Sequence, residues 1–152
     1  MATWAEFEAV APAIAGAGRR LIYRTETGQA LLATVRHTGL PRIHPIYVGI
    51  VDGRLVAFIM DSPKANDLAE DGRFALHTHQ NPEAPHEFLV RGRALAIDDE
   101  AARIGVANAW YFEVDGTYRL FEFLVDQAVL GERPSPDDWP PRYTSWRDSA
   151  GR

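Results

Sequence analysis

Between Pro41 and Ala65 the chain gathers the residue types that bind a phosphate. Arg42 opens an apolar, strand-like run, and Ser62-Pro63-Lys64-Ala65 follows a second one, Leu55 to Met60. Ser62 is a good helix N-cap, and Pro63 suits the first helical position, where a missing N–H costs nothing. A helix starting there points free N–H groups and the positive end of its dipole outward. Lys64 in its first turn is badly placed beside that dipole unless an anion is shared. The plainer alternative is an ordinary Ser-Pro cap with a solvated lysine and a solvent-facing Arg42.

Other constellations are weaker. His77 and His79 share a strand face and His86 follows nearby, but no Asp, Glu or Cys completes a metal-ligand spacing, so no metal site is expected. No Gly-x-Ser-x-Gly, Gly-x-Gly-x-x-Gly or Walker lysine is present. Trp110, Tyr111 and Phe112 are expected in the core or at a dimer interface.

The elements that must position these residues follow from pattern. Thr3-x-x-Glu6 is a capping box that opens a helix over about 3–24, carrying Trp4, Phe7, Val10 and Ile14, with a kink or break at Pro12. Ala30 to Val35 is a short strand closed by a turn at Gly39-Leu40-Pro41. A hairpin over 42–60 turns at Asp52-Gly53, residues that tolerate positive φ. A helix over about 64–71 stops at Gly72. Strands over 73–79 and 87–97 flank the Pro82–Pro85 loop. Asp98-Asp99 caps a helix near 100–112 with Ile104, Ala107 and Trp110 on its apolar side. A long strand spans 118–130, and a last one spans 142–147. Gly49 and Gly92 suit bends or bulges, and Pro45 suits an edge or bulge. These elements do not alternate as βαβ units. They predict an α+β fold: an antiparallel sheet of six to seven strands curled into a barrel with short flanking helices, one domain over 1–152 with its barrel over about 28–147.

Composition agrees. At 152 residues, 46% hydrophobic and 24% charged, the chain is ordinary for a globular domain. A net charge of −5 argues against nucleic acid as partner, and no apolar run approaches the roughly 20 residues that span a bilayer. The absence of cysteine removes disulfides and thiolate chemistry. A cytoplasmic protein is expected.

The order of elements and these motifs resemble the flavin-binding split barrel of the pyridoxamine 5′-phosphate oxidase-like family. Arg42 stands where that family's Arg-x-x-x-x-Lys strand begins, and Ser62-Pro63-Lys64-Ala65 matches its Ser-Arg-Lys-Ala helix start. Leu68 to Gly72 matches the end of the family helix, and Glu87 with Gly92-Arg93-Ala94 matches the later strand. The resemblance covers roughly residues 28 to 130. It implies a homodimeric oxidoreductase using FMN or a deazaflavin coenzyme. Arg42, Ser62 and Lys64 would take the cofactor phosphate, while Ile43, His44, Pro45, Ile59, Met60 and Glu87 would line its ring. His44 and Tyr47 would face substrate, and no classical catalytic residue is implied. Pro63 replaces one family arginine, Tyr47 the strand lysine and Glu87 the flavin-contacting glutamine. The substrate motif at the C-terminus is missing from 131–152, so oxidation of pyridoxamine phosphate is not expected. The alternative is a carrier or sensor of haem or flavin, with His44, His77 or His79 as axial ligand to haem.

Overall fold

The computed structural model describes residues 1–150. Thr3 caps the first helix as expected, with reciprocal hydrogen bonds to Glu6. Pro12 breaks the predicted long helix in two, α1 (Trp4–Val10) and α2 (Pro12–Ile22), and itself occupies the first position of α2. There its missing N–H removes no helical bond. Trp4 and Phe7 are buried against the sheet, Trp4 edge-on to Phe88 at 6.3 Å, whereas Val10 is exposed, contrary to the pattern.

The strands are β1 (Gln29–Val35), β2 (Pro41–Tyr47), β3 (Gly49–Val51), β4 (Arg54–Met60), β5 (Arg73–Thr78), β6 (Glu87–Ala96), β7 (Tyr118–Glu132) and β8 (Arg142–Arg147). All pair antiparallel in one sheet of order β2-β1-β5-β6-β7-β4-β3, with β8 added along β7. The sheet curls until β2 approaches β4, yet no ladder joins those two among the described residues. This is the antiparallel split barrel expected, with eight strands rather than six or seven.

The predicted hairpin over 42–60 is corrected. β2 pairs with β1, not with β4, and only Gly49–Val51 forms a ladder with Arg54–Val56 around the turn. Asp52 (φ 49°) and Gly53 (φ 74°) both have positive φ, the two-residue hairpin geometry. The partner switch falls at Val48, which is fully buried and donates to the Gly28 carbonyl at 3.2 Å. Pro45 sits on β2, an edge strand, as its missing N–H requires.

Gly92 marks the bulge. The β6–β7 register shifts there, leaving Asp126 unpaired on β7. A Cβ on Gly92 would lie 1.9 Å from the Leu124 carbonyl oxygen, so only glycine permits this approach. Helix α3 (Pro63–Glu70) packs on β1 and β6 and ends at Gly72, φ 79°. Helix α4 (Glu100–Asn108) is shorter than predicted, and Ile104 is 52% exposed. Val106 is the buried residue of α4 instead, and Trp110 reaches the core from the segment after the helix, edge-on to Phe58 at 5.5 Å.

Candidate functional site

Alternation along β2 divides its side chains between two faces. Arg42, His44 and Ile46 are half-buried and stand opposite Thr34, Leu32 and Ala30 of β1, all core residues. Ile43, Pro45 and Tyr47 are exposed on the other face, Ile43 at 64%. The expected row Ile43-His44-Pro45 is therefore not one surface. What those residues share is a backbone whose second edge pairs with no strand among the described residues.

Helix α3 begins beside this strand. Ser62 accepts from the Ala65 N–H at 3.4 Å and donates its hydroxyl to the Met60 carbonyl at 2.7 Å, so its side chain is fully used as the cap. Lys64 is half-buried in the first turn and takes part in no ion pair among the described residues. Arg42 is anchored from α3: its Nε donates to Asp67 Oδ2 at 2.9 Å, and the same oxygen accepts from the Thr34 hydroxyl at 2.7 Å. The terminal nitrogens of Arg42 make no hydrogen bond among the described residues.

His44 reports how these charges converge. Burial pushes its imidazole below the ordinary value, and the nearby Lys64 and Arg42 cations push it the same way, while Asp67 pulls it back. Two cations that both push one imidazole down mark a locally positive neighbourhood.

The remaining predicted residues scatter. Ile59 is buried in the core, while Met60 next to it is 56% exposed at the end of β4. Glu87 starts β6, opposite Gly131 of β7, and lies near Tyr143, whose phenol it pushes above its ordinary pKa. Within one chain Glu87 lies three strands across the sheet from β2 and at the opposite end from the Arg42 register row. Tyr47 packs against Tyr111 and Phe112, with ring centroids 5.8 and 5.7 Å apart. The three histidines do not assemble a metal site: His77 Nδ1 contacts the Thr78 carbonyl, His86 Nδ1 accepts from Arg133 N–H, and no three ligand-type side chains cluster among the described residues.

A cleft of about 320 Å³ adjoins the end of β2, lined by Gln29, Pro45, Ile46, Tyr47 and His79 without one formally charged side chain. A larger cleft, about 460 Å³, lies elsewhere, around Arg73, Arg91, Arg93, Asp126 and Asp148. Its charges are largely spoken for: Arg73 grips Asp71, holding that carboxyl down at about 2, and Arg93 donates to the Asp71 carbonyl. The smaller cleft is the one that continues the site.

Asp67 is the residue that sequence reasoning missed. Its signal was present in two places. Asp67 sits between Ala65 and Leu68, both buried, and Thr34 is the one hydroxyl in the apolar run Ala30 to Val35. Two polar residues on two apolar faces point to each other only once the faces are known to meet.

No family model matches the chain, and no curated protein matches it. Solved structures do. A protein from Clostridium acetobutylicum related to general stress protein 26, of the pyridoxinephosphate oxidase family, superimposes with a TM-score of 0.64 at 12% identity, over 86% of this chain and 92% of that one. A pyridoxamine 5′-phosphate oxidase-related, FMN-binding protein from Nostoc punctiforme aligns at 0.59 and 16% identity, over 93% and 96%. A haem-binding protein from Mycobacterium smegmatis aligns at 0.62 and 20% identity over 84% of this chain, which spans about half (55%) of that protein. At these identities the likeness is one of fold.

Proposed function

We propose that the chain is an oxidoreductase that holds FMN or a deazaflavin and passes hydride between it and a small organic substrate. The observation that carries this reading is that Arg42 is tied through Asp67 to the same helix, α3, whose first turn carries Lys64. A phosphate prefers guanidinium and ammonium donors meeting at a helix N-terminus. Arg42 offers its two terminal nitrogens, Lys64 its ammonium, and the first turn of α3 the backbone N–H of Lys64, since Pro63 has none and those of Ala65 and Asn66 go to Ser62. From Arg42 to Pro45 the strand advances about 10 Å at its usual rise. Over that span the open edge of β2 and the uncharged cleft would take the ring. Ser62 serves as the cap of that helix rather than as a direct phosphate ligand.

The bound cofactor supplies the hydride chemistry, as is general for this class. The protein's part is to orient and to exclude. Backbone groups of β2 would hold the ring, and Tyr47, packed against Tyr111 and Phe112, would wall the substrate side. Tyr47 carries no positive charge for a substrate phosphate, so pyridoxamine 5′-phosphate is a poor substrate. Pyridoxal phosphate formed rapidly with FMN and oxygen would overturn that point. Exposed Ile43, Pro45 and Tyr47 on one strand face support a homodimer in which a second copy covers β2. A cytoplasmic setting suits the cysteine-free chain.

A haem carrier is the second reading. It is favoured by His79, whose Nε2 is buried without a hydrogen-bond partner at the wall of the uncharged cleft. Absorption spectra of the purified protein titrated with FMN, deazaflavin or haem separate the two. A flavin or deazaflavin band perturbed at micromolar concentration supports the oxidoreductase. A Soret band that shifts in His79→Ala supports the carrier, and binding of none of the three removes both readings.

A further inference from the structure

We propose that Asp67 is the positioning residue of the anion site: it orients Arg42 and, by its charge, limits how strongly the site attracts an anion. The inference rests on the cofactor-phosphate reading of Arg42 and Lys64. Asp67 Oδ2 accepts two hydrogen bonds, from the Thr34 hydroxyl at 2.7 Å and from Arg42 Nε at 2.9 Å, and its side chain is only 8% exposed. A carboxylate so buried is expensive unless paired and hydrogen-bonded, and here both conditions are met by residues from two different strands. Three elements, β1, β2 and α3, thus meet at one oxygen atom.

The geometry has a consequence for Arg42. A guanidinium is rigid and planar, with five N–H donors in fixed directions. Once Nε is tied to Asp67, the plane is set and the pair of terminal nitrogens is left to receive an anion. Without Asp67 the long side chain recovers its rotamers, and that ordering must be supplied when the ligand binds. Thr34 donates to the same oxygen from β1, which holds Asp67 in place independently of the arginine.

Charge works in the opposite direction. Arg42 and Lys64 together bring two positive charges, and Asp67 cancels one of them at short range. The two effects of the carboxylate can therefore be separated by chemistry. The substitution Asp67→Asn keeps a carbonyl oxygen able to accept from both Thr34 and Arg42, while removing the negative charge. The substitution Asp67→Ala removes both.

The test uses the full chain, with FMN at pH 8, where its phosphate is a dianion, as probe. Asp67→Ala is expected to weaken binding by up to about tenfold, because the ordering of Arg42 must then be supplied on binding and the lost negative charge only partly offsets it. Asp67→Asn is expected to bind FMN as tightly as wild type or up to about tenfold more tightly. Proton–nitrogen NMR of the arginine Nε–H groups, with Arg42→Lys to assign the signal, reads the positioning without any ligand. The Arg42 Nε–H is expected to be protected from exchange in wild type and in Asp67→Asn, and unprotected in Asp67→Ala. Equal weakening of FMN binding in both variants, tighter binding in Asp67→Ala, or an Arg42 signal unchanged by Asp67→Ala would each overturn the assignment. Should wild type fail to bind FMN, the cofactor reading falls, and the Nε–H comparison decides the role of Asp67 by itself. Should Asp67→Ala fail to fold, Asp67→Asn and Thr34→Val carry the comparison, with Thr34→Val expected to lower protection of Arg42 Nε–H and no change overturning the relay.

Discussion

The Tyr111 hydroxyl donates to the Val48 carbonyl at 2.6 Å, joining residues 63 apart at the point where the chain leaves β2 for β3. Val48 is where one apolar run stops pairing with β1 and starts toward β4, so its backbone belongs to neither ladder. Its N–H goes to Gly28, its carbonyl is taken by Tyr111, and the Tyr23 hydroxyl accepts from Ile50 N–H two residues on at 2.7 Å. Burial pushes the Tyr111 phenol well above its ordinary pKa, so it remains a donor. Tyr111→Phe removes that donor and leaves a buried carbonyl unsatisfied, at a cost of about 1–3 kcal/mol. Urea unfolding should show a lower midpoint at unchanged slope. An unchanged midpoint would mean that water replaces the phenol without loss.

The phosphate assignment predicts matched losses at two residues that share no strand or helix. Lys64→Ala and Arg42→Ala should each weaken FMN by about 1.5–3 kcal/mol, the range for hydrogen bonds to charged groups. Lys64→Ala should leave stability nearly intact, because Lys64 pairs with no carboxylate among the described residues. Arg42→Ala also strands Asp67 and should cost stability as well. Calorimetric titration of both variants, with thermal melts alongside, separates binding from folding.

His44 should titrate below the usual imidazole range in the free protein. The sign follows from which form the fold prefers. The neutral ring is favoured, so the unfolded chain binds a proton more readily just below the ordinary pKa of about 6.5. The stabilisation from His44 is therefore complete above that pH and is lost as pH falls beneath it. Lys64→Ala should move the His44 pKa upward, which NMR of the ring protons measures directly. A value that does not move would place Lys64 too far away to share an anion with Arg42.

Gly92 should tolerate no side chain. A Cβ there meets the Leu124 carbonyl oxygen at 1.9 Å and the Asp126 N at 3.0 Å, both backbone atoms of the strand that carries the bulge. Gly92→Ala should therefore destabilise by about 1–3 kcal/mol through forced backbone shifts. Gly116, whose Cβ would meet nothing within 4 Å, supplies the control: Gly116→Ala should leave the melting temperature nearly unchanged. Equal melting temperatures for the two variants would refute the close approach.

Much of this architecture is local and was legible in the sequence. Thr3 with Glu6, Ser62 with Pro63, Asp52-Gly53 and Gly72 each state a helix start, a turn or a stop, because capping and positive φ depend on a few adjacent residues. The apolar runs Ala30 to Val35 and Tyr118 to Leu130 located β1 and β7, and Pro45 announced an edge or bulge. Partnership was not legible. Residues 42–51 read as one strand because alternation does not say which neighbour supplies the hydrogen bonds, and only the curled sheet and Tyr111 decide that pairing changes at Val48. The site divides in the same way. Arg42 and Lys64 announced themselves by type and context, since a cation at a helix N-terminus asks for an explanation. Asp67 did not, because an aspartate in a short helix looks like any solvated residue until α3 is laid on β1 and Thr34 is found beneath it. Long-range contact, not residue type, turned that carboxylate into part of the site.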